Sequence, residues 1–200
     1  MCHSDFPQEQ PIRAIGGGPG TALPATTLGF QEMSVSFEIE RRFLLRGDDW
    51  RQTAAKKTDI RQAYLAFDGR ASVRVRISNN SSATLTVKSR PAKLRRLEVE
   101  YVIPILEAEA LIALRQGFVV EKVRYEVPYR DLTWEIDVFS GENVGLVIAE
   151  IELRHEQQRV DLPPWIGEEV TGQRQYYNGA LAQRPFHSWS HCGDLVKMRA

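Results

Sequence analysis

Cysteine is scarce: Cys2 and Cys192 are the two present in 200 residues. They stand near opposite ends without CxxC spacing, which suits neither a disulfide framework nor a zinc knuckle. Net charge is lacking too. Acidic and basic residues balance at 26 each, so no long-range field gathers nucleic acid or an anionic membrane, and anion binding must come from local arrangement. Long apolar runs are absent as well. The longest, Val144 to Ile151, already contains Glu150 and falls far short of the ~20 residues that span a bilayer, which excludes membrane insertion. The amino terminus has no apolar signal core, leaving the cytoplasm as the expected location. No HExxH motif occurs, and no Lys-Ser or Lys-Thr follows the cluster Gly16 to Gly20, so a zinc-protease helix and a phosphate loop are both set aside.

The length suits one compact domain with loose ends. Residues 1–34, rich in Gly, Pro, Ala and Thr, show neither helical nor strand period and are expected to be a disordered leader. Met33 stands immediately before the first patterned segment and is a second candidate start of translation. The domain is expected over 35–189, with a tail over 190–200.

From Ser36 onward, period-two alternation recurs in eight segments: 36–45, 61–67, 72–78, 83–89, 95–104, 119–129, 132–139 and 146–154. That period is the mark of a strand with two distinct faces. Asn79-Asn80-Ser81-Ser82 predicts a tight hairpin between the third and fourth segments. Helical patterns are few: 48–56, 107–116 with Gly117 as the stop, and 174–183 before Pro185. In the middle one Ala110, Leu111 and Leu114 share the face expected to pack on a sheet.

The faces of the strands carry the functional information. Glu38, Glu40 and Arg42 alternate with Phe37, Ile39 and Phe43; Arg74 and Arg76 with Val73, Val75 and Ile77; Thr84, Thr86 and Lys88 with Leu85 and Val87. The pattern continues through Arg96, Glu98 and Glu100, then Lys122 and Arg124, Glu135 and Asp137, and Glu150 and Glu152. An ordinary solvent face mixes Thr, Ser, Gln and Lys, whereas here charges come in same-sign pairs. Like charges at i and i+2 repel unless opposite charge lies between or across them. Eight antiparallel strands close into a barrel wide enough for side chains or a small ligand. Charged faces turned inward make an inverted barrel, mainly β, with an apolar exterior covered by a few helices. Dry burial of so many ions costs several kcal/mol each, so the lumen is expected to be wet or occupied. Carboxylate pairs suit Mg²⁺ or Mn²⁺, and Arg and Lys grip phosphate.

These residues also resemble a known family. EIERRFLL at 38–45 is similar to the E-x-E-x-K signature of the CYTH superfamily, the triphosphate tunnel metalloenzymes. The likeness continues through QAYL (62–65), VRVRI (73–77), LTVK (85–88), RLEVEYVIP (96–104), EKVRY (121–125), WEIDVF (134–139), GLVIAEIEL (145–153), EVT (169–171) and YYNGALA (176–182). It implies an eight-stranded antiparallel closed tunnel that uses Mg²⁺ or Mn²⁺ to cleave a linear or nucleoside-linked triphosphate. It further implies that Glu38, Glu40, Asp137, Glu150 and Glu152 hold metal, that Arg74, Arg76, Lys88, Lys122 and Arg124 bind phosphate, and that Tyr64 lies near the signature lysine. That lysine is Arg42 here, which keeps the charge but does not supply a neutral amine. Glu38, Glu40, Arg42 and Tyr64 are therefore the catalytic candidates, Arg42 doubling as a phosphate ligand.

Other residues read more plainly. His187, His191 and Cys192 lie near the end without helical support, and His155 reads as a turn residue. Trp50, Trp165 and Trp189 are expected to pack outside the tunnel, and Glu168 and Glu169 to precede a helix start. The expected function is hydrolysis of inorganic tripolyphosphate. Adenylyl cyclase, a nucleoside or thiamine triphosphatase, and a non-catalytic polyphosphate-binding module are the alternatives. The expected partner is a triphosphate-containing small molecule, with neither nucleic acid nor membrane, and a homodimer is left open.

Overall fold

The computed structural model describes residues 34–89 and 95–189. The leader up to Met33, the tail, His191 and Cys192 lie outside the described residues. All eight expected strands are present: β1 (Ser34–Leu45), β2 (Lys56–Phe67), β3 (Ala71–Ser78), β4 (Ser82–Ser89), β5 (Arg95–Ile103), β6 (Gln116–Tyr129), β7 (Leu132–Ser140) and β8 (Val147–Glu152). A ninth, β9 (Ile166–Glu169), forms where a helix start was expected from Glu168 and Glu169. Two short helices complete the set, α1 (Ile105–Ala113) and α2 (Asn178–Gln183). The helix expected over 48–56 is a single 3-10 turn, Asp49–Thr53, and Lys56 already belongs to β2.

Every pairing is antiparallel, and the pairings form a ring, β1-β5-β4-β3-β2-β6-β7-β8 and back to β1. The seam lies in β1. Ser34–Ile39 pairs with β5 and Glu40–Leu44 with β8, so successive halves of one strand complete the tunnel rather than a shared stretch. β9 adds to the end of β1, opposite Phe43 and Leu45. Between β3 and β4 the predicted turn holds Asn79 and Asn80 at φ 50° and 51°, a left-handed conformation that Asn tolerates better than most side chains.

Apolar side chains cover the outside, as inversion of the barrel requires. Phe43, Trp134, Ile136, Ala149 and Ile151 pack with Trp50 and Trp165, and Trp134 meets Phe43 and Trp165 edge-on at 5.5 and 5.6 Å. Each such side chain contributes roughly 1.5–3 kcal/mol on burial. Helix α1 covers Ala63, Val75, Ile77 and Ala83 through Ala108 and Ile112. Its expected face was wrong in most part: Leu111 packs at the margin, but Ala110 is exposed and Leu114 lies past the last helical residue, 72% exposed.

α2 departs further from the role of an outer cover. Val120, Phe139 and Ile148 stand opposite Gln62, Lys122 and Asp137 in the ladders, so the register puts them on the charged, inward face. They pack with Leu181, Ala182 and Phe186, which makes α2 and the segment after it an apolar stopper for that part of the lumen. Gly117, at φ +75°, permits the approach, because a Cβ there would lie 2.2 Å from the Ala182 carbonyl oxygen.

Candidate active site

Ladder partners share a face, so the register alone gathers the charged residues. Tyr64 is opposite Arg74 and Gln62 opposite Arg76; Lys88 is opposite Glu98 and Arg124 opposite Asp137. Glu135 is opposite Glu150, with Arg42 opposite Glu150 and Glu40 opposite Glu152. All twelve predicted site residues therefore line one surface. Arg42, Arg74, Lys88, Lys122, Asp137 and Glu150 are buried there.

Much of this charge is mutually satisfied. Arg124 donates Nε and Nη2 to the two oxygens of Asp137, both at 2.7 Å, and Nη2 also to Glu150 at 2.7 Å. Its Nη1 engages Glu135, and Lys122 donates to Asp137. Arg42 donates Nε to Glu150 at 2.6 Å and Nη2 to Glu40 at 2.5 Å. Lys88 lies 2.8 Å from both Glu38 and Glu98. The expectation that acid pairs and base pairs each wait for an external partner is thus met only in part, because cross-strand neighbours already answer most of them. Burial alone would raise the carboxyls of Asp137 and Glu150. Arg124 and Lys122 outweigh it at Asp137, as do Arg42, Arg124 and Lys122 at Glu150, and both carboxyls are held below the usual range.

The remainder is cationic at one end. Among the described residues Arg76 makes one side-chain hydrogen bond, Nε to Gln62 at 3.1 Å. Burial together with Arg74 and Arg124 pushes its guanidinium down to about 10. Lys122, buried and beside Arg124, is pushed down to about 8. Among the described residues Arg42 Nη1, Arg74 Nε and Gln62 Nε2 are buried donors without an acceptor, and an orphaned donor of this kind costs about 1–3 kcal/mol. A cavity of about 700 Å³ opens beside them, and each charged residue lining it is a cation: Arg42, Arg70, Arg74, Lys88 and Arg174. Tyr64 lies in its wall, stacked on Phe67 at 4.9 Å. Arg70, Arg174 and Tyr177 escaped the sequence reading because they sit in turns and helix ends, where no periodicity signals an inward direction.

The CYTH domain family profile matches residues 36–184. This chain belongs to the CYTH domain family. It is 46% identical over 153 residues to an inorganic triphosphatase of Acetivibrio thermocellus, covering 76% of this chain and 97% of that one. With an inorganic triphosphatase of Nitrosomonas europaea it shares 33% over 148 residues, 72% of this chain and 96% of the relative. A crystal structure of an inorganic triphosphatase, 34% identical, matches with a TM-score of 0.55 over 72% of this chain and 93% of that one.

CYTH triphosphatases are metalloenzymes, and the donor set here can be tested for fit. Glu40 and Glu152 face each other, with Glu38 next on the same face of β1. Burial and the neighbouring Glu38 and Glu98 raise the Glu152 carboxyl above its ordinary value. Hard carboxylate oxygens crowded on one face, with that of Glu152 raised by its acidic neighbours, fit a hard divalent cation. Among the described residues no three His, Cys, Asp or Glu groups are gathered as a bound ion would require; the carboxylates lean on Arg42 and Lys88 instead. No helix among the described residues is long and apolar enough to cross a membrane.

Proposed function

We propose that the tunnel, over 35–189, hydrolyses inorganic tripolyphosphate with Mg²⁺ or Mn²⁺ in the cytoplasm. The carrying observation is the cavity of about 700 Å³ whose charged lining is wholly cationic, with Arg42 Nη1 and Arg74 Nε left as buried donors beside it. A linear chain of phosphates supplies the acceptors those donors lack, and the curated relatives support this reading.

Arg74, Arg76 and Lys88 would hold the phosphate oxygens from β3 and β4, and Lys122 and Arg124 from β6. Arg42 would reach the same chain from β1. Glu38, Glu40 and Glu152 are the residues that would hold the metal, with Glu150 and Asp137 behind them. A bound Mg²⁺ or Mn²⁺ supplies neutralisation of phosphate charge and polarisation of water. In the reaction a water oxygen bonds to a terminal phosphorus, the bridging P–O bond breaks, and phosphate and pyrophosphate leave. A glutamate of the 38/40 or 150/152 pairs takes up the proton of the water. Catalysis rests on alignment and fixed charge rather than on covalent chemistry. Tyr64, opposite Arg74, orients the inner end of the chain.

A second reading is favoured by the aromatic side of the cavity, where Phe67 and Tyr177 line the wall. Such rings would suit the organic group of a nucleoside or thiamine triphosphate. Phosphate release from tripolyphosphate, ATP and thiamine triphosphate side by side, with detection of cyclic nucleotide, separates the readings. Tripolyphosphate turning over fastest supports the first, and preference for an organic triphosphate overturns it. Binding without turnover leaves a polyphosphate-binding module.

A further inference from the structure

Arg42 is restrained through its backbone, along one edge of its guanidinium and by an aromatic ring. Its backbone N–H donates to Thr171 Oγ1 at 3.0 Å, and its carbonyl accepts from Val170 N at 2.8 Å. In the plane of the guanidinium, Nε and Nη2 are taken by Glu150 and Glu40. Those two bonds fix one edge and leave the plane free to tilt about it. Arg42 Cζ lies over the Tyr177 ring, 4.0 Å from its centroid. The main chain that carries the ring is anchored, because the Tyr177 carbonyl accepts Ala180 N and Leu181 N, both at 2.9 Å, at the start of α2. The third nitrogen, Nη1, is buried without a partner among the described residues, and both residues line the cavity.

We propose that Tyr177 is a positioning residue for Arg42: its ring sets the tilt of the guanidinium so that the unpaired Nη1 presents its hydrogens to a phosphate oxygen in the cavity. The inference rests on the tripolyphosphate reading and deepens it. A planar fork profits from a wall that fixes its plane, whereas an ammonium, whose three hydrogens rotate, has no plane to fix. Tyr177 therefore matters to Arg42 in a way that it would not matter to a lysine in the same place.

The test is a double-mutant cycle in which Tyr177→Leu and Tyr177→Phe are each made with Arg42 and with Arg42→Lys. Initial rates of phosphate release and calorimetric affinity for tripolyphosphate with Mg²⁺ are measured on each protein. A cation–ring contact shielded from water is worth enough that Tyr177→Leu should lower kcat/KM by roughly five- to thirtyfold, with Tyr177→Phe within about twofold of wild type. In the Arg42→Lys background Tyr177→Leu should change kcat/KM by less than about twofold. Equal losses in both backgrounds, a Phe variant as impaired as the Leu variant, or an unimpaired Leu variant would each overturn the proposal. Thermal melting separates unfolding from misalignment, and if Leu unfolds the chain, Tyr177→Phe against Tyr177→His, a ring of different shape, replaces it in the cycle. A wild type that binds tripolyphosphate without turnover sinks the hydrolase reading, while affinities around the cycle still decide the role of Tyr177. A wild type that does neither overturns both.

Discussion

Arg76 faces Gln62 across the β2–β3 ladder and donates to it at 3.1 Å, with no carboxylate in ion-pair reach among the described residues. By contrast, Arg124 beside it and Arg42 on β1 are each held by two or more carboxylates. An incoming anion would therefore give Arg76 a counter-charge that its ladder partner does not supply. Arg76→Ala should raise KM for tripolyphosphate by roughly tenfold or more, the worth of a charge-assisted hydrogen bond. Its Mg²⁺ titration should match the wild type. A shifted metal titration with unchanged KM would remove Arg76 from the phosphate site.

Glu150 has the opposite character, because it ties Arg42 on β1 to Arg124 on β6. Neutralising it leaves two buried guanidiniums short of charge, a change that commonly costs about 3–5 kcal/mol. Glu150→Gln should therefore lower the melting temperature by many degrees as well as weaken Mg²⁺ dependence. A variant as stable as the wild type would show that solvent already screens this bridge.

Metal and substrate should act together. The crowded carboxyl of Glu152 and the orphaned donors of Arg42 and Arg74 are relieved by opposite charges, so Mg²⁺ with tripolyphosphate should raise the melting temperature more than the sum of each alone. At one hundred times its dissociation constant a ligand contributes about 2.7 kcal/mol. Additive shifts in a melting titration would argue against a shared site. Because tripolyphosphate chelates Mg²⁺ in solution, free concentrations must be held fixed in each arm.

A pH dependence follows from Lys122, which burial and Arg124 push down to about 8. The ordinary lysine value is about 10.4. Between those values the unfolded chain binds a proton that the folded one lacks, so this residue's contribution to stability rises with pH across that window. Relative to Lys122→Met, the substrate-free wild type should melt higher at pH 10 than at pH 7. Phosphate binding needs the ammonium, so affinity for tripolyphosphate should fall more steeply in the wild type than in Lys122→Met as pH passes about 8. Parallel affinity profiles for the two proteins would remove Lys122 from the phosphate site.

The alternation of charge and hydrocarbon made the eight tunnel strands legible, since each is long enough for its period to show. β9 was not: four residues, Ile166–Glu169, give too little alternation to outweigh the acidic pair Glu168-Glu169, which resembles a helix start. Leu114 misled for a related reason, because it continues the helical spacing of α1 past the point where the helix stops. In the site, same-sign pairs revealed which residues face inward but not how they pair. That Asp137 would be gripped by Lys122 and Arg124 together depends on the stagger between β6 and β7, which no local pattern encodes. Arg174 and Tyr177 reach the cavity only because α2 folds back as a stopper, a tertiary event invisible at the level of the strand.

The seam in β1 bears on the order in which the protein can be built. β1 is the first of the described strands to be synthesised, yet its two halves and its end wait for β5, β8 and β9, the last of which finishes at residue 169. The hairpins β2–β3, β3–β4, β4–β5 and β6–β7 are local and can form as they are made, whereas sealing the ring requires contacts across more than a hundred residues of sequence, the kind that slows folding. Most strands of a growing chain would thus be in place as an open sheet before the tunnel exists. The surface such a sheet leaves uncovered longest is its future lumen, most of it charged, so the delay exposes a face that water already solvates well.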